Sequence, residues 1–186
     1  MFKYPIRLLS VVACLGFVSC SMNKVDMPKG NSKGYSSARL TRLDPNNTNK
    51  TTAKEDEVNR MIKSSLAANF SANGLSYGQS NAGLVVAYML IYQEPGMTVS
   101  SQQYFGYNNE SDKISDIAHM RGAVDSGRPD FFRQAGIVID VIDSKTNKLV
   151  YRSVAKGDVV KGVSSSIRAQ RINKAVSQAL APFFSK

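Results

Sequence analysis

Apolar positions along this chain repeat with two different periods, and each change of period marks an element. Val58, Met61, Ile62, Leu66 and Phe70 recur every three or four residues, the spacing of one helix face. Ahead of them Thr52-Ala53-Lys54-Glu55 is a capping box, in which the Thr hydroxyl and the Glu carboxylate each satisfy an exposed backbone amide. Behind them Asn73-Gly74 supplies a left-handed stop, so the pattern predicts a helix over about 53–73. A second helix is predicted after Ser164-Ser165-Ser166, with Ile172, Val176, Ala179, Leu180 and Phe183 on one side. Its other side carries Arg168, Arg171, Lys174 and Gln178, and Pro182 with the terminus is expected to end it.

The strand signals are of three kinds. Leu84 to Tyr92 is a near-continuous apolar run of strand length, expected at the centre of a sheet with both faces covered. Gly136–Asp143 and Lys148–Ala155 are β-rich runs joined by the polar Ser144-Lys145-Thr146-Asn147, which predicts a hairpin with Asp143 starting its turn. A ragged alternation of Tyr35, Ala38, Leu40 and Leu43 predicts a first strand, broken by Asp44-Pro45-Asn46-Asn47. From Gln93 to Arg133 there is little period beyond a weak helix over Asp112–Met120 with Ile114, Ile117 and Ala118 on one face. An irregular stretch of that length in a compact domain is usually functional, disordered or a missed element.

The resulting order is β-α-β-loop-β-β-α. It predicts an α+β two-layer sandwich: a mixed sheet of four to five strands with two amphipathic helices packed on one face. Residues 1–19 read as a cleaved leader, 20–33 as an attachment residue and flexible tether, and 34–186 as a single α/β domain.

The leader is the most specific feature of the chain. Lys3 and Arg7 precede an apolar run from Leu8 to Val18, with Ser19 and then Cys20 behind it. A basic start, a short apolar core and a small residue are the layout of a secretory signal peptide. The run is about half the ~20 residues a spanning helix needs, so it is expected to be removed. A cysteine directly after the small residue makes it a lipoprotein signal, with the Cys20 thiol acylated and Cys20 the mature N-terminus. Phe17 stands where Leu is usual, and Val11-Val12-Ala13-Cys14 matches better locally but leaves too short an apolar stretch ahead. A plain cleaved signal peptide is the alternative. Ser21, in place of Asp, predicts sorting to the outer membrane of a Gram-negative cell, facing the periplasm.

Composition then removes several chemistries. After cleavage Cys20 is the sole cysteine, which excludes internal disulfides, thiolate metal sites and a free cysteine nucleophile. His119 is the sole histidine, too few for a His-based metal cluster, and no metal or cofactor is expected. The net charge of +10 falls to about +8 once Lys3 and Arg7 are lost. In an exported chain that excess suits phospholipid headgroups, lipopolysaccharide or cell-wall polymer and not nucleic acid, or serves mainly to keep the protein soluble.

Gly136–Asp143, Lys148-Leu149-Val150-Tyr151-Arg152 and Arg171–Phe183 together resemble the C-terminal part of bacterial lipoproteins containing domain of unknown function 4136. The resemblance extends back through the Asn73-Gly74 stop, the Leu84–Tyr92 strand and the Gly/Tyr-rich stretch, over roughly residues 35–184. Tyr151 stands where that family usually has Trp, Ser153 where Gly commonly follows Arg, and Asn81-Ala82-Gly83 where an acidic residue is frequent. The resemblance implies a small α/β domain tethered to the cell envelope and brings no activity with it.

No catalytic constellation emerges. Asp116 lies one turn before His119, yet no Gly-x-Ser-x-Gly elbow or comparable nucleophile accompanies them. Asp140 and Asp143 sit on opposite faces of one strand and cannot act as a carboxylate couple. Neither a phosphate loop nor a calcium loop is present. Two binding candidates are left. Tyr104, Phe105 and Tyr107 form an aromatic group suited to anchoring in a partner's pocket, or to folding back on their own sheet. Arg168, Arg171 and Lys174, with Lys161, form a basic stripe suited to an anionic surface, or to plain solvation. The expectation is a non-enzymatic, membrane-tethered adaptor for another envelope component. The alternatives are an enzyme or small-ligand binder using residues 93–133 with His119, and a cell-wall-polymer binder using the basic helix face.

Overall fold

The computed structural model describes residues 27–41, 52–94, 97–100, 133–160 and 162–185. Its elements are β1 (Ser37–Leu40), α1 (Ala53–Ala72), β2 (Ser76–Tyr77), β3 (Leu84–Glu94), β4 (Met97–Ser100), β5 (Arg133–Asp143), β6 (Lys148–Val159) and α2 (Ser165–Phe184). The sheet runs β2-β1-β3-β5-β6, and β4 pairs with the far end of β3 along the same edge that β1 uses. β1 is parallel to both β2 and β3, while β3, β5 and β6 are antiparallel. This is the mixed α+β arrangement expected, with two short strands, β2 and β4, that no local pattern announces.

Both helices begin and end on local chemistry. Thr52 accepts from the Glu55 amide at 3.2 Å and its own amide donates to the Glu55 carboxylate at 2.7 Å, completing the capping box. Gly74 takes φ +84°, and the Leu75 amide reaches back to the Phe70 carbonyl at 3.1 Å. That closes α1 in a Schellman motif, with Leu75 and Phe70 both buried in the core. Ser164 caps α2 through the Ile167 amide. Pro182 lies inside α2 instead of ending it. A proline removes its own bond to the preceding turn but leaves the two residues after it free to stay helical.

The helices lie side by side in the same direction on one face of the sheet. Glu57 meets Ser165 and Arg168, Ser65 meets Asn173, and Phe70 meets Phe183 and Phe184. Beneath them Leu84, Val86, Tyr88 and Leu90 of β3 join Ile137, Ile139 and Val141 of β5 and Tyr151 and Ala155 of β6. The alternate residues Ala87, Met89 and Ile91 are buried as well, so β3 is apolar on both faces, as its unbroken run predicts. Tyr88 is the largest fully buried side chain among the described residues, and its hydroxyl donates to Asn59 Oδ1 of α1 at 2.9 Å. Burial holds the Tyr88 hydroxyl well above its ordinary pKa, so it stays a neutral donor.

Candidate binding surface

The β5–β6 hairpin decides what the edge of the domain presents. Asp143 starts the turn: its Oδ1 accepts from the amides of Lys145 at 2.9 Å and Thr146 at 2.7 Å, and its Oδ2 from Tyr35 Oη at 2.8 Å. The Thr146 amide first, then the Tyr35 hydroxyl, hold the carboxyl down to a pKa of about 2. Asn147 closes the turn at φ 54°. Between Val141 and Ile142 the ladder then slips by one residue, from Ile142 opposite Leu149 to Val141 opposite Tyr151.

That bulge turns Tyr151 into the helix-side core, where its hydroxyl donates to the Ala179 carbonyl of α2. It also sets Arg152 opposite Asp140 on the other face. Arg152 Nε and Nη2 donate to the two Asp140 oxygens at 2.6 and 2.7 Å, and both side chains are 1% exposed. Such a paired fork is the strong form of a charge-assisted bond. Asp140 and Asp143 do face opposite sides, as alternation requires, and Asp140 has a partner that alternation alone does not supply.

The outer edge of β6 is covered in part by the N-terminal segment. The Gly30 amide donates to the Val150 carbonyl at 2.9 Å, the Arg152 amide to the Pro28 carbonyl at 3.1 Å, and the Ser32 amide to the Phe183 carbonyl at 2.9 Å. Residues 28–32 thus form a strap along β6 and onto the end of α2. Residues 28–32, which fall within the stretch expected as a flexible tether over 20–33, are paired with β6 and α2. Gly30 is required: a Cβ there would stand 2.4 Å from the Val150 carbonyl oxygen.

On the helix layer the basic stripe divides. Arg168 is drawn inward, where its Nη1 donates to Glu57 of α1 at 2.9 Å, with a longer bond to the Val163 carbonyl at 3.4 Å. Ser165 also donates to Glu57, and these contacts, the hydroxyl first, lower the Glu57 pKa. Arg171 and Lys174 stay exposed. Between the helices an open groove of about 500 Å³ is lined by Glu57, Arg60, Met61, Ser64, Ala68 and Asn173, with further small residues. Cys20, Tyr104, Phe105, Tyr107, His119 and Lys161 lie outside the described residues. Among the described residues no three His, Cys, Asp or Glu side chains converge to hold a metal, and no helix is long and apolar enough to cross a membrane.

A family model described as a domain of unknown function, DUF4136, matches residues 27–183. The chain belongs to this family. The matched stretch begins one residue before the strap, so the DUF4136 domain includes the segment stitched to β6. Among solved structures the chain is similar to the PelC dodecamer from Paraburkholderia phytofirmans, at 12% identity over 86% of this chain and 91% of that one, with a TM-score of 0.43. A single-substitution form of that dodecamer gives 11% identity over 84% and 91%, TM-score 0.41. A PDZ domain protein from Parabacteroides distasonis gives 9% identity over 82% of this chain and 32% of that one, TM-score 0.42. No curated protein sequence matches the DUF4136 chain.

Proposed function

We propose that this DUF4136 protein is a lipid-anchored module of the cell envelope that binds another envelope component and performs no catalysis of its own. The observation that carries the reading is how the buried polar groups are used. Asn59, Ser65, Asp140 and Arg152 are the buried polar side chains among the described residues. Each is tied to a structural partner: Asn59 to Tyr88, Ser65 to Asn173, and Asp140 to Arg152. These four hold the sheet and helices together, and of the two buried side-chain atoms without a hydrogen-bond partner among the described residues, Arg39 Nε and Tyr77 Oη, the phenol is pushed up to about 12 by burial and stays neutral. Recognition then falls to the surface.

Cys20 supplies the anchor in this reading. Full acylation of Cys20 provides more than one chain, which meets the requirement for stable attachment. Photocrosslinking in cells tests the binding half, with a photoreactive residue in place of Tyr104 in one strain and Tyr107 in another. The expected result is one abundant envelope protein trapped in the adduct. A folded, membrane-bound protein that yields no adduct at either site removes these aromatics from partner binding. Mass spectrometry of the N-terminal peptide tests the anchor: Cys20 is expected to carry acyl chains in the wild type. An unmodified Cys20 at the mature N-terminus refutes the lipid attachment.

A further inference from the structure

We infer that the strap, the β6 edge and the outer face of α2 form a contact surface for anionic phospholipid headgroups. The inference rests on the membrane-tethered reading above and names what the tethered domain touches first. Its basis is a separation of charge that the net value of +10 conceals. Residues 37–143 hold ten Lys and Arg against twelve Asp and Glu. Residues 144–186 hold nine basic residues and one acidic residue, Asp158, and residues 27–36 add Lys29 and Lys33 with no acidic residue. The tertiary structure brings these two basic stretches together, because the strap pairs with β6 and reaches the Phe183 carbonyl of α2.

Within this region Lys29, Lys33, Arg171 and Lys174 are all exposed, and none has an ion-pair partner among the described residues. Arg168 is not part of the surface, because Glu57 neutralises it between the helices. Ser165, Ala169 and Asn173 line the α1 side of α2, and helical spacing puts Arg171 and Lys174 on its outward side, away from that groove. The occupant is argued from charge and from chain length. Four cations with no ion-pair partner among the described residues, and no acidic residue on α2, match a negative surface. Only residues 21–27 separate Cys20 from the strap, a reach of at most ~25 Å when fully extended. A domain held that close to a bilayer meets its headgroups before any other polyanion.

The test uses the full mature chain carrying Cys20→Ser, so that no lipid contributes, and vesicles of phosphatidylcholine with or without phosphatidylglycerol. Sedimentation with the anionic vesicles alone is expected. Each of Lys29→Gln, Lys33→Gln, Arg171→Gln and Lys174→Gln is expected to lower partitioning about five-fold, and all four together by more than about a hundred-fold. Lys54→Gln with Arg60→Gln on α1 removes as much charge as the Lys29/Lys33 pair and is expected to change partitioning by less than about two-fold. Equal loss from the α1 pair, equal binding to neutral vesicles, or binding to purified peptidoglycan without binding to vesicles each overturns the surface. The mass of the N-terminal peptide of the wild-type chain reports lipidation separately. Acylated Cys20 without headgroup selectivity removes this surface and leaves the anchor standing.

Discussion

Asp140 and Arg152 show how one residue's partner depends on a slip in a ladder. Buried ion pairs add little over a matched apolar pair, yet removing one member leaves a charge with no counterion. Arg152→Met is therefore expected to destabilise the domain by roughly 3–5 kcal/mol, while Asp140→Leu with Arg152→Met recovers most of that loss. Urea unfolding of the two single variants and the double measures the coupling, and additive losses would refute it. Asp143 makes a second residue-scale prediction. Its carboxyl titrates near 2, below its ordinary value of 3.8, because the turn amides and Tyr35 donate to the ionised form. A depressed carboxyl contributes stability that is present above its unfolded pKa and lost as pH falls through the folded one. Thermal unfolding of the wild type is expected to weaken between about pH 4 and pH 2 more steeply than that of Asp143→Asn. Matching pH profiles would remove Asp143 as a cause. That Asp143 starts the turn was legible in the sequence, since an Asp before a four-residue polar link bonds its own following amides. The Asp140 pair was not. An unbroken register through the turn puts Tyr151 opposite Asp140 and aims Arg152 at the core, and only the bulge reverses this.

At the scale of elements, the strap is the feature that ties the N-terminal segment to β6 and α2. It is held by few backbone bonds, and Pro28, lacking an amide hydrogen, cannot return a bond to β6. Gly30→Ala places a methyl against the Val150 carbonyl and is expected to lift the strap without unfolding the sheet. Hydrogen exchange reads this directly: the Arg152 amide should lose protection while that of Tyr88, in the middle of β3, keeps it. Unchanged protection at Arg152 would mean that the strap adjusts. The helices were legible almost to the residue because their caps are local, with Thr52–Glu55, Asn73-Gly74 and Ser164 each acting within one turn. β2, β4 and the strap were not, since a short strand has no period of its own and exists only where a neighbour offers an edge. Arg168 belongs with them: its spacing puts it on the polar face of α2, and a carboxylate from a distant part of the chain decides where it goes.

At the scale of the molecule, charge and topology act together. The positive excess lies in residues 144–186 and in residues 27–36, two stretches far apart in sequence that share one edge of the sheet. The amino-acid sequence by itself determined the class of fold, the two helices, the central apolar strand, the hairpin and family membership. These follow from periodicities of 2 and 3.6 and from capping chemistry that acts over a few residues. Tertiary structure alone decided the register of the hairpin, the pairing of Asp140 with Arg152, the removal of Arg168 from the basic stripe and the docking of the strap beside β6. Each of these depends on a contact between residues distant in the chain, whose energy is realised only after the sheet and helices have brought them together.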